Sequence, residues 1–295
     1  MAINNKGALT ASAKELLAPY QKRVEEIFEK DIVSRYGESE VIQACRYAFG
    51  GGKKLRPSIV FSIAQALDPG ADVDKVAVAV ECFHVLTLIV DDLPCLDNDS
   101  IRRDRPSTHI AFSERVALLA NYALVGYVYC LVQENPIPKG VNPSRVLKAA
   151  IEHVSAALGY SGIVTGQYMD TCSCKYTREE IQTLSDKKTG ALFALSFVLG
   201  WLYGGGDIEK LDRVKEMAKY FGRAFQYTDD IDDLEQDAKA SNWANYALSF
   251  GLEETEALIQ KYSTRFLDIA QELGIDKTPV ARLAQVMGEV AGKNV

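Results

Sequence analysis

Two clusters of aspartates interrupt a chain that otherwise reads as apolar helix after apolar helix: Asp91, Asp92 and Asp97 in DDLPCLD, and Asp229, Asp230 and Asp233 in TDDIDD. Carboxylates set beside apolar helix are costly unless something neutralises them, and a hard, oxygen-preferring Mg²⁺ ion bridging to a substrate's phosphates is the usual solution. Residues three and four apart share a helix face, so Asp229, Asp230 and Asp233 point one way and Asp232 another. Phe221, Phe225, Ile231 and Leu234 form an adjoining apolar stripe, which places the acidic stripe in a cleft. Asp91 and Asp92 end the apolar run FHVLTLIV, and Pro94 disturbs the helix just beyond, turning Asp97 back toward the same ions. Each cluster alone is also what a solvated helix face looks like.

Basic residues of the right kind accompany them. Arg102 and Arg103 follow the first cluster, and Lys53, Lys54 and Arg56 follow Gly50, Gly51 and Gly52 in GGGKKLRP. Glycines let backbone approach an anion, and Lys or Arg neutralises phosphate oxygens, Arg in bidentate fashion. This is not a Walker loop, because Tyr47 and Lys54 stand where that pattern needs glycine and Ser or Thr. Taken alone, GGGKKLRP reads as a basic surface turn. Acidic clusters and basic residues together read as a grip on a diphosphate.

The periodicity predicts an all-α fold, with helices over 12–31, 40–49, 74–93, 110–132, 144–158, 178–203, 208–236 and 252–273, broken at LDPGAD, ENPIPKGVNPS, YGGGD and Gly274. Thr177 before REE, and Asn142 with Pro143, are helix starts. With 295 residues, 47% of them hydrophobic, and no Pro/Gly/Ser linker, the expectation is one domain over 1–295. A net charge of −7 and the lack of a basic stripe exclude a general nucleic-acid surface. Of six cysteines, Cys172 and Cys174 form a C-x-C beside no histidine, which argues against zinc, while Cys45, Cys82 and Cys130 read as small core residues. MAINNKGALTASAKELL lacks the apolar core of a signal peptide, and ALFALSFVLGWLY, the longest apolar stretch, is short for a bilayer. The expectation is a cytoplasmic protein with no membrane span.

The ordered set GGKKLRP, DDxxxxD with RR after it, GQxxD, KT and FQxxDDxxD resembles the trans-type polyprenyl (isoprenyl) diphosphate synthases over about residues 40 to 235. That resemblance implies a single-domain helical bundle of the isoprenoid synthase type around a deep central cavity, and three Mg²⁺ ions on an allylic diphosphate. It makes Asp91, Asp97 and Asp229 direct metal ligands, with Asp92, Asp230 and Asp233 supporting them directly or through water. Isopentenyl diphosphate falls to Lys53, Arg56, His84 and Arg103, and the allylic diphosphate to Arg102 and Lys188. Thr189 and Gln226 match positions lining the reacting carbons, and Gln167 with Asp170 match the GQxxD helix. A homodimer is implied too, with apolar helices such as 113–131 as interface. His84, in an apolar helix, would otherwise be an ordinary core histidine, as His153 is; His109 matches a family position without a clear role.

The chemistry implied is short-chain prenyl transfer to a C15 or C20 diphosphate. An allylic C–O bond ionises, metal and cations stabilise the leaving group's roughly three negative charges, and an alkene attacks the cation in a dry apolar pocket. The family uses the departing diphosphate to take the last proton, which suits a chain with three histidines. In the family, side chains just before the first cluster set product length; here these are Leu86, Thr87 and, a turn further, Phe83. Departures from the pattern are Asp104, Val90, Asn121 with Tyr122, and a shortened loop after Asp233, where Asn242 or Trp243 replaces a lysine and only Lys239 is near. Alternatives are a class I terpene cyclase, which does not need Lys53, Arg56 and Arg103, and a non-catalytic or partner-dependent subunit, which does not need both clusters. A His-Asp phosphohydrolase lacks its dipeptide.

Overall fold

A computed structural model describes residues 3–171, 176–240 and 242–292. The chain enters through α1 (Ile3–Tyr36), α2 (Glu40–Phe49), α3 (Leu55–Leu67) and α4 (Asp74–Asp91). A small hairpin follows, β1 (Ile101–Arg102) with β2 (Arg105–Pro106), and then α5 (Thr108–Ala111), α6 (Glu114–Glu134), α7 (Pro143–Leu158) and α8 (Ile163–Asp170). Next come α9 (Arg178–Ser185), a π-helical turn (Asp186–Gly190), α10 (Ala191–Tyr203) and, after a 3₁₀ turn at Ile208–Lys210, α11 (Leu211–Asp232). The chain closes with α12 (Leu234–Ala240), α13 (Tyr246–Phe250), α14 (Leu252–Glu272) and α15 (Pro279–Ala291).

α10 is apolar all round, which by itself requires burial on every side. Its residues from Leu192 to Tyr203 are buried except Ala194, and it packs against α3, α4, α7 and α11. Close approach is possible because Gly200 and Gly204 face α3: a Cβ would lie 2.9 Å from the Val60 carbonyl oxygen at the first and 2.7 Å from the Ala64 Cα at the second. Each large apolar side chain so buried contributes about 1.5–3 kcal/mol. α4 and α11, the helices that end in the aspartate clusters, flank this core, with α6 packed on α4 and α14 on α11.

The helical class expected from the sequence holds, and several boundaries differ. α3 was not anticipated, because it is apolar on all sides and shows no helical period; eight consecutive residues, Pro57–Ala64, are buried. α8 is the helix that the resemblance implied for Gln167 and Asp170, whereas α15 was not anticipated; Thr278, whose side chain accepts from the Ala281 amide, and Pro279 start it. The expected helix 178–203 is divided by the π turn, and 110–132 is broken at Phe112, after which Ser113 caps α6. Among the described residues α6, not ALFALSFVLGWLY, is the helix long and apolar enough to cross a membrane: it has 21 residues, with 44% of its apolar window buried here, largely against α4. Cys45 and Cys82 are buried free thiols, Cys130 is partly buried and Cys95 exposed; the C-x-C at Cys172 and Cys174 lies outside the described residues.

Candidate active site

The two acidic clusters occupy the C-terminal ends of α4 and α11. Beyond Asp91 the chain folds back, so that the Asp97 amide donates to the Asp91 carbonyl at 3.0 Å, with Asn98 in the left-handed region at φ 55°. Burial first, then repulsion from Asp97 and Asp170, pushes the Asp91 carboxyl up to about 6 against the attraction of Lys188 and Arg102. Burial, then Asp233, pushes Asp229 up to about 7, while Lys53 pulls the other way. Lys53 and Arg56 act on Asp229 while Lys188 acts on Asp91 and Asp97, so the cations of the glycine turn and of the π turn face the two clusters.

The six aspartates divide by what their oxygens do. Asp92 is ion-paired with Arg102, which also reaches Asp99 at 2.8 Å. Asp230 accepts from the Gln226 amide at 2.9 Å and from the Tyr246 amide at 2.9 Å, and Asn245 donates to its carbonyl at 2.7 Å. Asp91, Asp97, Asp229 and Asp233 make no side-chain hydrogen bond or ion pair among the described residues. Asp91 and Asp229, partly buried, without donors and raised toward neutral pH, suit a hard cation, with Asp97 and Asp233 exposed beside them. No three Asp, Glu, His or Cys side chains among the described residues converge tightly enough to hold an ion unaided. Mg²⁺ is commonly held by one or two carboxylates together with substrate phosphates.

The π turn links the two clusters, since its Lys188 acts on Asp91 and Asp97 while its Thr189 is bonded to Gln226 of α11. The wider ring of a π turn marks functional sites often. Lys188 pairs with Asp170 of α8; burial alone would weaken its charge, but Asp170, Asp91 and Asp97 hold it protonated. Thr189 Oγ1 donates to Gln226 Oε1 at 2.7 Å, so Thr189, Gln226 and Asp230 form one hydrogen-bonded line from the π turn to α11. Asp186 clamps the same turn to α11 through two 2.8 Å bonds from Arg223. Gln167 leaves both its amide atoms buried without a partner.

On the other side, the Gly50–Gly52 turn and the hairpin meet. The hairpin reverses with Arg103 and Asp104 both at positive φ, 54° and 61°. The guanidinium of Arg103 lies over Gly52, where a Cβ would stand 2.7 Å from Cζ, and donates to the Gly50 and Gly51 carbonyls at 3.1 Å. Arg56 sits 5.0 Å over the Phe193 ring with its Nε unpartnered, and His84 Nδ1 is unpartnered too. Burial, then Arg56, Arg103, Lys54 and Arg102, holds His84 well below the ordinary imidazole range, hence neutral. Lys53 is exposed, whereas Lys54 is buried.

The expected metal- and diphosphate-binding residues fall in three groups by the elements that carry them. Asp91, Asp92, Asp97, Arg102 and Arg103 come from α4 and the hairpin, and Lys53, Arg56 and His84 from the glycine turn, α3 and α4. Lys188, Thr189, Gln226, Asp229, Asp230 and Asp233 come from the π turn and α11. Phe83, Leu86 and Thr87 are buried on α4 below Asp91, where the Leu86 carbonyl accepts from Asn121 of α6 at 2.7 Å. In place of a long loop after Asp233, α12 begins at once, and Lys239 on it is exposed. Sequence reasoning missed Asn245 and Tyr246, which hold Asp230; the available signal was the helix cap of Asn245, whose side chain accepts from the Leu248 amide.

Residues 38–244 match the polyprenyl synthetase family, and the chain belongs to it. It is 34% identical to farnesyl diphosphate synthase of Geobacillus stearothermophilus over 229 residues, 76% of each chain. It is 32% identical over 269 residues to the heterodimeric geranylgeranyl pyrophosphate synthase large subunit 1 of Arabidopsis thaliana, covering 85% of this chain and 72% of that one. Among solved structures, an FPP/GFPP synthase from Zymomonas mobilis aligns with a TM-score of 0.79 and 30% identity over 100% of both chains. A geranyltranstransferase from Thermotoga maritima aligns with a TM-score of 0.74 and 26% identity, covering 92% of this chain and 98% of that one.

Proposed function

We propose that this protein is a short-chain prenyl diphosphate synthase, one domain over 1–295, that joins isopentenyl diphosphate head to tail with an allylic diphosphate to give a C15 or C20 product. The observation that carries this reading is the division of the aspartates. Asp91, Asp97, Asp229 and Asp233 keep side-chain oxygens without a partner among the described residues, with Lys188 acting on Asp91 and Asp97, and Lys53 and Arg56 acting on Asp229. A separate cation set at each acidic cluster is what two diphosphates need and one does not.

In this reading Asp91, Asp97 and Asp229 would hold three Mg²⁺ ions with the allylic diphosphate, Asp233 assisting, while Asp92 orients Arg102 and Asp230 orients Gln226. Bound Mg²⁺ supplies charge stabilisation for the leaving diphosphate. Lys188 and Arg102 add fixed positive charge where negative charge develops as the C–O bond breaks. Thr189 spends its hydroxyl proton on Gln226, which leaves oxygen lone pairs to face the allylic cation. Lys53, Arg56, Arg103 and neutral His84 hold the isopentenyl diphosphate so that its alkene meets the cation, the geometry that converts a two-body reaction into a one-body step. The departing diphosphate then accepts the last proton.

Ile110, Leu118, Leu119 and Tyr122 are exposed large apolar side chains on and beside α6. They support a homodimer through that helix, and the composition supports a cytoplasmic location. The test is to incubate purified protein with Mg²⁺, labelled isopentenyl diphosphate and, separately, dimethylallyl, geranyl or farnesyl diphosphate. A C15 or C20 product lost in Asp91→Ala is expected. No condensation with any primer, despite Mg²⁺-dependent diphosphate binding, would overturn the reading in favour of a cyclase or partner-dependent subunit.

A further inference from the structure

Behind the glycine turn lies a buried charge group that touches no reacting position. Glu81 of α4 is 1% exposed and one helical turn before His84. Its carboxylate is 3.2 Å from Lys54 Nζ and 3.6 Å from Arg103. Lys54 is buried as well, at φ 52° in the N-cap position of α3, and donates to the Phe49 and Gly51 carbonyls at 2.5 and 2.7 Å with its ammonium 4.4 Å over the Phe49 ring. Arg103 meets the same turn from the far side through the Gly50 and Gly51 carbonyls, and Arg105 reaches Gly50 at 2.9 Å. From α1, Gln21 donates to the Gly52 carbonyl at 2.7 Å, and Glu25, 38% exposed, accepts from the Gly51 amide at 3.1 Å.

The turn that presents Lys53 and Arg56 is thus held from behind by cations, and those cations need an anion where water cannot reach. Lys54, Arg56 and Arg103 repel one another across a desolvated space, and an unpaired buried ammonium is costly enough to leave or lose its proton. Glu25 is partly exposed and its nearest approach to Lys54 is 3.9 Å. Glu81 is the buried carboxylate in contact with both Lys54 and Arg103.

We infer that Glu81 is a positioning residue for the isopentenyl diphosphate cradle: through Lys54 it locks the Gly50–Gly52 turn, and through Arg103 it aligns the hairpin against that turn. This rests on the functional reading above and adds to it a residue that touches neither diphosphate. Removing the carboxylate frees Lys54 from the Phe49 and Gly51 carbonyls, loosens the turn and misplaces Lys53 and Arg56. The allylic side, built from Arg102, Lys188 and the π turn, shares no direct contact with Glu81 and is spared.

The test compares wild type with Glu81→Gln, varying each substrate at saturating levels of the other. The KM for isopentenyl diphosphate is expected to rise at least about tenfold, the loss of one charge-assisted contact, with the allylic KM within about twofold. Glu81→Asp should recover much of the loss. Because Glu81→Gln leaves Lys54 unpaired and can fail to fold, the double variant Glu81→Gln with Lys54→Met removes both buried charges and should show the same selective rise. Equal rises in both KM values, or unchanged kinetics in the folded double variant, would overturn the inference. Calorimetric titration with inorganic pyrophosphate in metal-free buffer reads the cradle without turnover. Weaker binding by the variants there supports Glu81 even if wild type forms no product, and equal binding overturns it.

Discussion

Gly166 of α8 and Lys188 of the π turn approach so closely that a Cβ on the glycine would stand 2.5 Å from the Lys188 amide nitrogen and 2.7 Å from its Cα. Those are backbone atoms, so no rotamer change relieves the clash, and either α8 or the π turn must move. Gly166→Ala is expected to cost about 1–3 kcal/mol of stability and to lower kcat/KM for the allylic substrate by about tenfold or more, because a misplacement near 1 Å is enough. Thermal unfolding and steady-state kinetics check this; a variant with lowered stability and wild-type kinetics would show that α8 does not set the position of Lys188.

This contact also marks where the sequence stops being readable. The acidic stripe of α11 was legible because spacing three and four apart maps directly onto a helix face. The fold-back of Asp97 was legible from Pro94, and the glycine turn from its three glycines. α3 was not, since a helix buried on every side carries no period. The π turn was not, because the extra residue in its ring depends on tertiary anchors: Arg223 on Asp186, and Gly190 packed 3.3 Å from the position of a Cβ at Gly222. The difference between Asp229 and Asp230, adjacent in the same motif, rests on the Tyr246 amide, 16 residues along the chain.

Asp229 is where activity and stability should oppose each other. Its folded-state carboxyl is raised from 3.8 to about 7, burial first and Asp233 next. A raised acid binds its proton more tightly when folded, so its contribution is fully favourable below pH 3.8 and is lost as pH climbs through about 7. In metal-free buffer at pH 8 the ionised group therefore destabilises the fold, by no more than about 4 kcal/mol for a shift of this size. Asp229→Asn should raise the metal-free Tm at pH 8 by about 2–6 °C, show a much smaller gain at pH 5, and abolish most condensation at either pH. Calorimetry in EDTA at both pH values decides it: an equal gain at pH 5 and pH 8 would mean that packing, not charge, is responsible.

Phe83 lies eight residues before Asp91 on α4, about 12 Å down the helix axis at 1.5 Å per residue. It is fully buried, while Leu86 and Thr87, nearer the aspartates, are 5% and 6% exposed. Leu86 is smaller than an aromatic residue, and the Thr87 hydroxyl is turned back to the His84 carbonyl at 2.8 Å, so neither presents a large obstacle to a growing chain. Past His84, the next ring down this helix is that of Phe83. Replacing it with alanine should cost about 3–5 kcal/mol through the void it leaves among apolar side chains on the helix below Asp91. Phe83→Ala, assayed well below its lowered Tm, is therefore expected to shift product toward chains longer than those of wild type, whereas Leu86→Phe should shorten them. Chromatographic sizing of the dephosphorylated alcohols reads both. An unchanged product from a folded but destabilised Phe83→Ala would assign the floor to Leu86 and Thr87 and leave Phe83 as packing between α4 and its neighbours.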